Sequence, residues 1–254
     1  FFKQKTAYEI KECDWSSDVC SSDLAIGWQA LTTNTTGNEN VAVGSAALQT
    51  LNGGIDNTAL GHASLLSATT GNDNTAVGRS SGRALTNGSQ NVIIGSLAGY
   101  SGTNNLTTGS NNIIIGYNAS NSSSTGSNIV TLGNSSIATL RCQVTSITAL
   151  SDERDEKNIQ PLSVGLDFVK NLKPVTFEWN MRDGGKVDIK DAGFIAQDLM
   201  AAEDAIDMAE TLQLTYRDNP EQLEATQGRL IPILVKAIQD LAAQVEELKG
   251  QINA

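Results

Sequence analysis

Gly37-Asn38-Glu39-Asn40-Val41-Ala42-Val43-Gly44-Ser45-Ala46-Ala47-Leu48 decides the fold of this chain, because it recurs. Seventeen residues on stands Gly54-Ile55-Asp56-Asn57-Thr58-Ala59-Leu60-Gly61-His62-Ala63-Ser64-Leu65. The later glycine of each pair returns at Gly27, Gly44, Gly61, Gly78, Gly95, Gly116 and Gly133, in steps of 17 residues with one step of 21. Its companion stands seven residues earlier at Gly37, Gly54, Gly71, Gly88, Gly109 and Gly126. A fixed period near twenty residues means stacked supersecondary units that share one core, so residues 25–138 read as a β-solenoid.

Each unit has its own chemistry. Asn40, Asn57, Asn74, Asn91 and Asn112 lie four residues before a main glycine, and three β-prone residues fill each gap. Such triplets read as very short strands bounded by turns. The third position after the glycine is small throughout (Ala30, Ala47, Ser64, Ser81, Ala98, Ala119, Ser136), which fits a narrow core or the close approach of a neighbouring chain. Four surplus residues in the 21-residue step, within 100–108, form a loop on one face. Thr-Thr-Gly occurs in some units and not others, so it reads as turn chemistry and not as an ice-binding ladder. His62 follows its glycine where other units carry Trp28, Ser45, Arg79, Ser96, Tyr117 and Asn134, so it reads as a solvent-facing variable residue.

On the Asn-x-Ala-[Val/Ile/Leu]-Gly core and the small third residue, the array resembles the head repeats of trimeric bacterial adhesins and phage tail-fibre proteins. The resemblance implies a left-handed β-roll in which three chains pack side by side.

Residues 1–24 do not join this pattern. Residues 3–10 read KQKTAYEI and 14–24 read DWSSDVCSSDL. Both resemble the translated constant parts of a short-read sequencing adapter, in one frame and in order, with a variable barcode at 11–13. The segment is therefore expected to be artefactual or disordered, with the natural start of the repeat array missing. Cys13 and Cys20 are discounted with it, which leaves Cys142 and argues against a disulfide framework or a cysteine-bound metal.

The net charge of −11 is unevenly spread. Residues 25–150 hold three acidic residues (Glu39, Asp56, Asp73) and three arginines, while 151–254 hold 20 acidic and 11 basic residues. A domain boundary is expected near Leu150. Neither part has a basic stripe, so no nucleic-acid partner is expected. No apolar run reaches the ~20 residues that span a bilayer, so no membrane insertion is expected. The three carboxylates share one repeat register, which suits a ladder and not the acid/base pair of a glycan hydrolase. No cofactor or metal is expected.

Beyond the array, residues 139–150 alternate loosely and read as a short β stem. Then come Ser151-Asp152-Glu153-Arg154, Leu166-Asp167-Phe168-Val169, Leu172-Lys173-Pro174-Val175-Thr176-Phe177-Glu178-Trp179 and Ala192-Gly193-Phe194-Ile195-Ala196-Gln197-Asp198. In order and spacing these resemble the intramolecular chaperone domain of phage endosialidases and tail spikes, the peptidase S74 family, over 151–254. The chain closes on Ile231, Leu234, Ile238, Leu241, Val245, Leu248 and Ile252, a heptad seam that predicts a coiled coil over 230–253. β-Branched residues alternating with leucine favour a parallel dimer by general rule; the resemblance implies a homotrimer. An amphipathic helix packed on its own domain is the other reading of the same pattern.

The resemblance also implies one self-cleavage between Leu150 and Ser151 by a Ser–Lys pair. Ser151, Asp152 and Arg154 match the motif, but Glu156 stands five residues after the serine, where the family has lysine, and Lys157 is one residue further. Three outcomes stay open: Lys157 serves through a local shift, Glu156 is the base, or the domain chaperones without cutting. Ser151 also reads as a helix N-cap. Together these readings give a mainly β chain with an α+β C-terminal domain. The expected protein is a structural and adhesive fibre fragment of the phage tail-fibre kind, located in the virion, with a host-surface glycan or protein as receptor. The alternative is a bacterial surface or secreted adhesin.

Overall fold

The computed structural model describes residues 22–102, 104–137, 139–143, 151–182 and 184–253. The chain forms two compact units, one up to Ala138 and one from Thr139. The first is a parallel β-solenoid of three-residue strands: β1 (Leu24–Ile26), β2 (Val41–Val43), β3 (Thr58–Leu60), β4 (Thr75–Val77), β5 (Val92–Ile94), β6 (Ile113–Ile115) and β7 (Val130–Leu132). They pair in sequence order, each residue opposite its counterpart in the next coil (Ala42 opposite Ala59, Ile93 opposite Ile114). Alternate strand residues face opposite sides, so Ala42, Ala59, Ala76, Ile93 and Ile114 form one fully buried column.

The asparagines hold the coils together from inside. Asn57 donates its backbone N–H (3.0 Å) and its Nδ2 (3.1 Å) to Asn40 Oδ1, and its Nδ2 also reaches the Gly71 carbonyl (2.8 Å). The same pattern runs through Asn74, Asn91 and Asn112. An amide side chain is both donor and acceptor, so it can stay fully buried without an orphaned group. Glycine is required where coils touch. Gly61 has φ +134°, and a Cβ there would lie 2.5 Å from the Gly78 carbonyl oxygen.

The small residues answer to a narrow core within the chain: Ala47, Ser64, Ser81, Ala98 and Ala119 are fully buried, with Ser64 and Ser81 hydroxyls 2.8 Å apart. Core volume is traded between coils. Gly82, in the register position of Leu65, leaves space that Ile93 Cδ1 and Leu65 Cδ2 fill, 2.8 and 2.9 Å from where a Cβ would stand. Leu31, Leu48 and Leu65 adopt φ +49°, a strained region for a leucine, which their near-complete burial offsets. The threonine hydroxyls are spent on neighbouring coils: Thr50 Oγ1 donates to the Leu66 carbonyl (2.7 Å) and Thr107 Oγ1 to that of Ser124 (3.0 Å).

Two boundaries differ from expectation. The array begins before Ala25: Leu24 opens β1, and Asp23 Oδ1 accepts from Asn40 N (2.8 Å) and Nδ2 (3.1 Å). A carboxylate presents the same acceptor as an asparagine, so Asp23 fills the asparagine position of the first coil. Residues 1–21 lie outside the described residues. The expected stem at 139–150 falls largely outside them too; residues 139–143 form no strand.

The second unit is α+β. It has α1 (Leu166–Val169), a hairpin of β8 (Val175–Asn180) and β9 (Val187–Gly193), α2 (Ala196–Asp204), α3 (Ala209–Leu212), a two-residue pair of β10 (Thr215–Tyr216) and β11 (Glu224–Ala225), and α4 (Leu230–Ile252). Val164, Phe168, Leu199, Leu212, Leu214, Leu230 and Ile233 form its core. The fully buried Glu203 ties the pieces together. It pairs with Arg217 at 2.9 Å and accepts from the Leu214 N–H, which gives a buried charge the partners it needs. Pro232 falls in the first turn of α4, where a missing N–H costs nothing.

Candidate functional site

The described residues of the second unit resume at Ser151. After it comes a single 3-10 turn, Glu153–Asp155, and not a longer helix. Asp152, not Ser151, caps this turn: its Oδ1 accepts from the Arg154 N–H at 3.0 Å. The Arg154 guanidinium grips the same carboxylate at 2.9 and 2.5 Å. That guanidinium, followed by the Arg154 backbone N–H, holds the Asp152 carboxyl down at about 2. Ser151 therefore lies one residue outside the cap, with its hydroxyl free to turn elsewhere.

That hydroxyl donates to Glu156 Oε1 at 2.8 Å. Glu156 closes the turn in extended backbone (φ −112°, ψ 150°). Successive side chains of extended backbone point to opposite sides, so the residue after Glu156 is turned away from Ser151. Lys157 is exposed and has no ion pair among the described residues. Of the three candidate residues, Ser151 and Glu156 are brought together and Lys157 stands apart. A serine and a carboxylate at this distance satisfy the geometric requirement for a nucleophile and its base. The pair is exposed to solvent. Among the described residues no group of three or more His, Cys, Asp or Glu is placed to hold a metal ion, and no helix is long and apolar enough to cross a membrane.

A second candidate surface lies on α4. Every residue of the heptad seam is exposed, from 41 % at Val245 to 82 % at Ile252. A different face of the helix packs into the domain: Leu230, Ile233 and Ala237 are buried. On that face Asp240 Oδ2 accepts from the Leu166 N–H at 3.2 Å and Asp240 is ion-paired with Lys236. The heptad reading did not find this inward face, because Leu230, Ile233 and Ala237 fall between the seam positions. Their own three- and four-residue spacing was the available signal. The solenoid has a comparable outward row, Ile26, Val43, Leu60, Val77, Ile94, Ile115 and Leu132, one residue before each glycine. Leu60, Ile94, Ile115 and Leu132 are exposed large hydrophobics.

Residues 151–211 match the family model of peptidase S74, described as the chaperone of endosialidase. No curated protein and no solved structure matches the chain. The match begins on Ser151 and ends in α3, before the seam helix. It supports reading the C-terminal unit as an assembly chaperone domain similar to that family.

Proposed function

We propose that the chain is part of a homotrimeric fibre of the phage tail-fibre kind, carried on the virion. In this reading the β-solenoid presents a receptor-binding surface and the C-terminal unit brings three chains into register. The observation that carries it is the division of labour on α4. One apolar face is consumed by the domain core, and every residue of the heptad seam is left exposed. Seven large apolar residues in a continuous stripe are costly to leave in water, at roughly 25 cal/mol per Å². Association of several copies removes that cost. Non-local β pairing is slow, and a helical bundle at one end raises the effective concentration of the segments that must pair.

Within this reading the Leu150–Ser151 bond is cut once, with Glu156 as the base for Ser151. The 2.8 Å hydrogen bond supports that choice over Lys157. The test is light scattering and intact mass on the full chain. A threefold mass is expected, and Ile238→Asp with Leu241→Asp is expected to return it to one chain. Intact mass is expected to reveal a product beginning at Ser151, lost in Ser151→Ala and Glu156→Gln and kept in Lys157→Ala. A monomeric wild type sinks the trimer. An uncut wild type, or loss of cutting in Lys157→Ala alone, removes Glu156 from the role.

A further inference from the structure

The solenoid is segregated in charge. Its carboxylates end at Asp73, and residues 74–137 contain no acidic residue at all. The same stretch contains two cations, Arg79 and Arg83, four residues apart in one turn. Neither is ion-paired among the described residues. The Arg83 guanidinium carbon lies 5.3 Å from the centroid of the Tyr100 ring, one coil on. Tyr100 also opens the four-residue surplus that breaks the 17-residue step. Among the residues that follow, Asn105 Oδ1 accepts from the Gly102 N–H (2.8 Å), and Ser101 Oγ donates to Ser120 Oγ of the next coil (2.9 Å). A ring–cation contact and a departure from the repeat thus meet at one place, with a second unpaired cation four residues away in the same turn.

We infer that Arg79, Arg83 and Tyr100, with Ser101 and Asn105 after them, form a recognition surface for an acidic saccharide chain. An arginine held over an aromatic face keeps its N–H donors available at the edge of the guanidinium, a geometry that matches carboxylate or sulfate bidentately. Serine and asparagine in the loop suit a hydroxyl-rich ligand. An acidic peptide would need a buried apolar anchor, whereas Ser96 stands one coil on from Arg79 in the same register and Ser101 follows Tyr100. A nucleic acid would need a longer basic stripe. This inference rests on the receptor-binding reading above and names its site and ligand class.

The test is binding of the full chain to immobilised heparin, oligogalacturonate, neutral dextran and polyglutamate at low salt. Retention on at least one acidic saccharide is expected, with none on dextran and little on polyglutamate. Arg79→Ala combined with Arg83→Ala is expected to weaken binding by about ten- to hundredfold. Arg83→Lys is expected to keep part of it, and Trp28→Ala, several coils away, all of it. Thermal melting of each variant separates lost binding from lost fold. Binding to no acidic saccharide overturns the inference, as does binding indifferent to the arginines. Equal retention on polyglutamate overturns it in favour of an acidic protein partner. Oligomer mass is read on the same sample, so this site can fail while the trimeric fibre stands.

Discussion

In the solenoid a single buried position is filled again and again. Ala42, Ala59, Ala76, Ile93 and Ile114 form one column, and each coil meets copies of itself above and below. In the C-terminal unit each buried residue is used once. Phe168 from α1, Leu199 from α2, Leu212 from α3 and Ile233 from α4 meet from four separate segments. The repeat secures its core by periodicity and the C-terminal unit by convergence. Damage to one coil therefore remains a nearest-neighbour event in the stack, whereas damage to one convergent residue reaches every segment that meets it.

The largest expected effect is at a coil contact. Gly61→Val combines an unfavourable φ with a Cβ 2.5 Å from the Gly78 carbonyl, and is expected to cost on the order of 5 kcal/mol. Gly228→Ala in the other unit meets nothing within 4 Å and is expected to change stability by less than about 1 kcal/mol. Hydrogen exchange resolved by coil checks the contrast: protection should fall in the coils around Gly61 first. Next comes Phe168→Ala, expected to cost about 3–5 kcal/mol. Differential scanning calorimetry should show the C-terminal transition lowered and the solenoid transition unmoved. A single transition shifted as a whole would mean that the two units do not unfold independently.

The smallest effect is in acid. Lys236 and then the Leu166 N–H hold the Asp240 carboxyl below its usual range. A depressed carboxylate contributes stability that is present above its unfolded value and lost as pH falls through the folded one. The α1–α4 joint should therefore loosen below about pH 4, and Asp240→Asn should flatten that dependence. The buried polar residues of the solenoid are asparagines and serines, which do not titrate. Circular dichroism from pH 6 to 2 should show the helical signal fading before the β signal.

The same contrast explains what could be read in advance. The strands at Val41–Val43, Thr58–Leu60 and Val92–Ile94 were legible because each was printed several times in register. Asp23 was not, since its role is visible only beside Asn40. Nor was the exchange of Leu65 for Gly82 opposite a larger strand residue, which takes two coils to see. In the C-terminal unit the seam of α4 was legible as a stripe, but a stripe does not say what covers it. Leu230, Ile233 and Ala237, off the seam, proved to be the buried residues. At the candidate cleavage site the motif placed Ser151 as a cap. The structure gives that role to Asp152, whose Oδ1 accepts from the Arg154 N–H, while Ser151 turns its hydroxyl to Glu156.

The 21-residue coil has a consequence for engineering. Asn112 reaches Asn91 Oδ1 at 3.0 and 3.1 Å across 21 residues, the distances that other coils achieve across 17. The buried amide column therefore fixes where each coil must return and leaves open how far the chain wanders in between. A foreign peptide spliced between Ser101 and Asn105 should hang outside the stack without disturbing it, which makes this coil a ready display position on the solenoid.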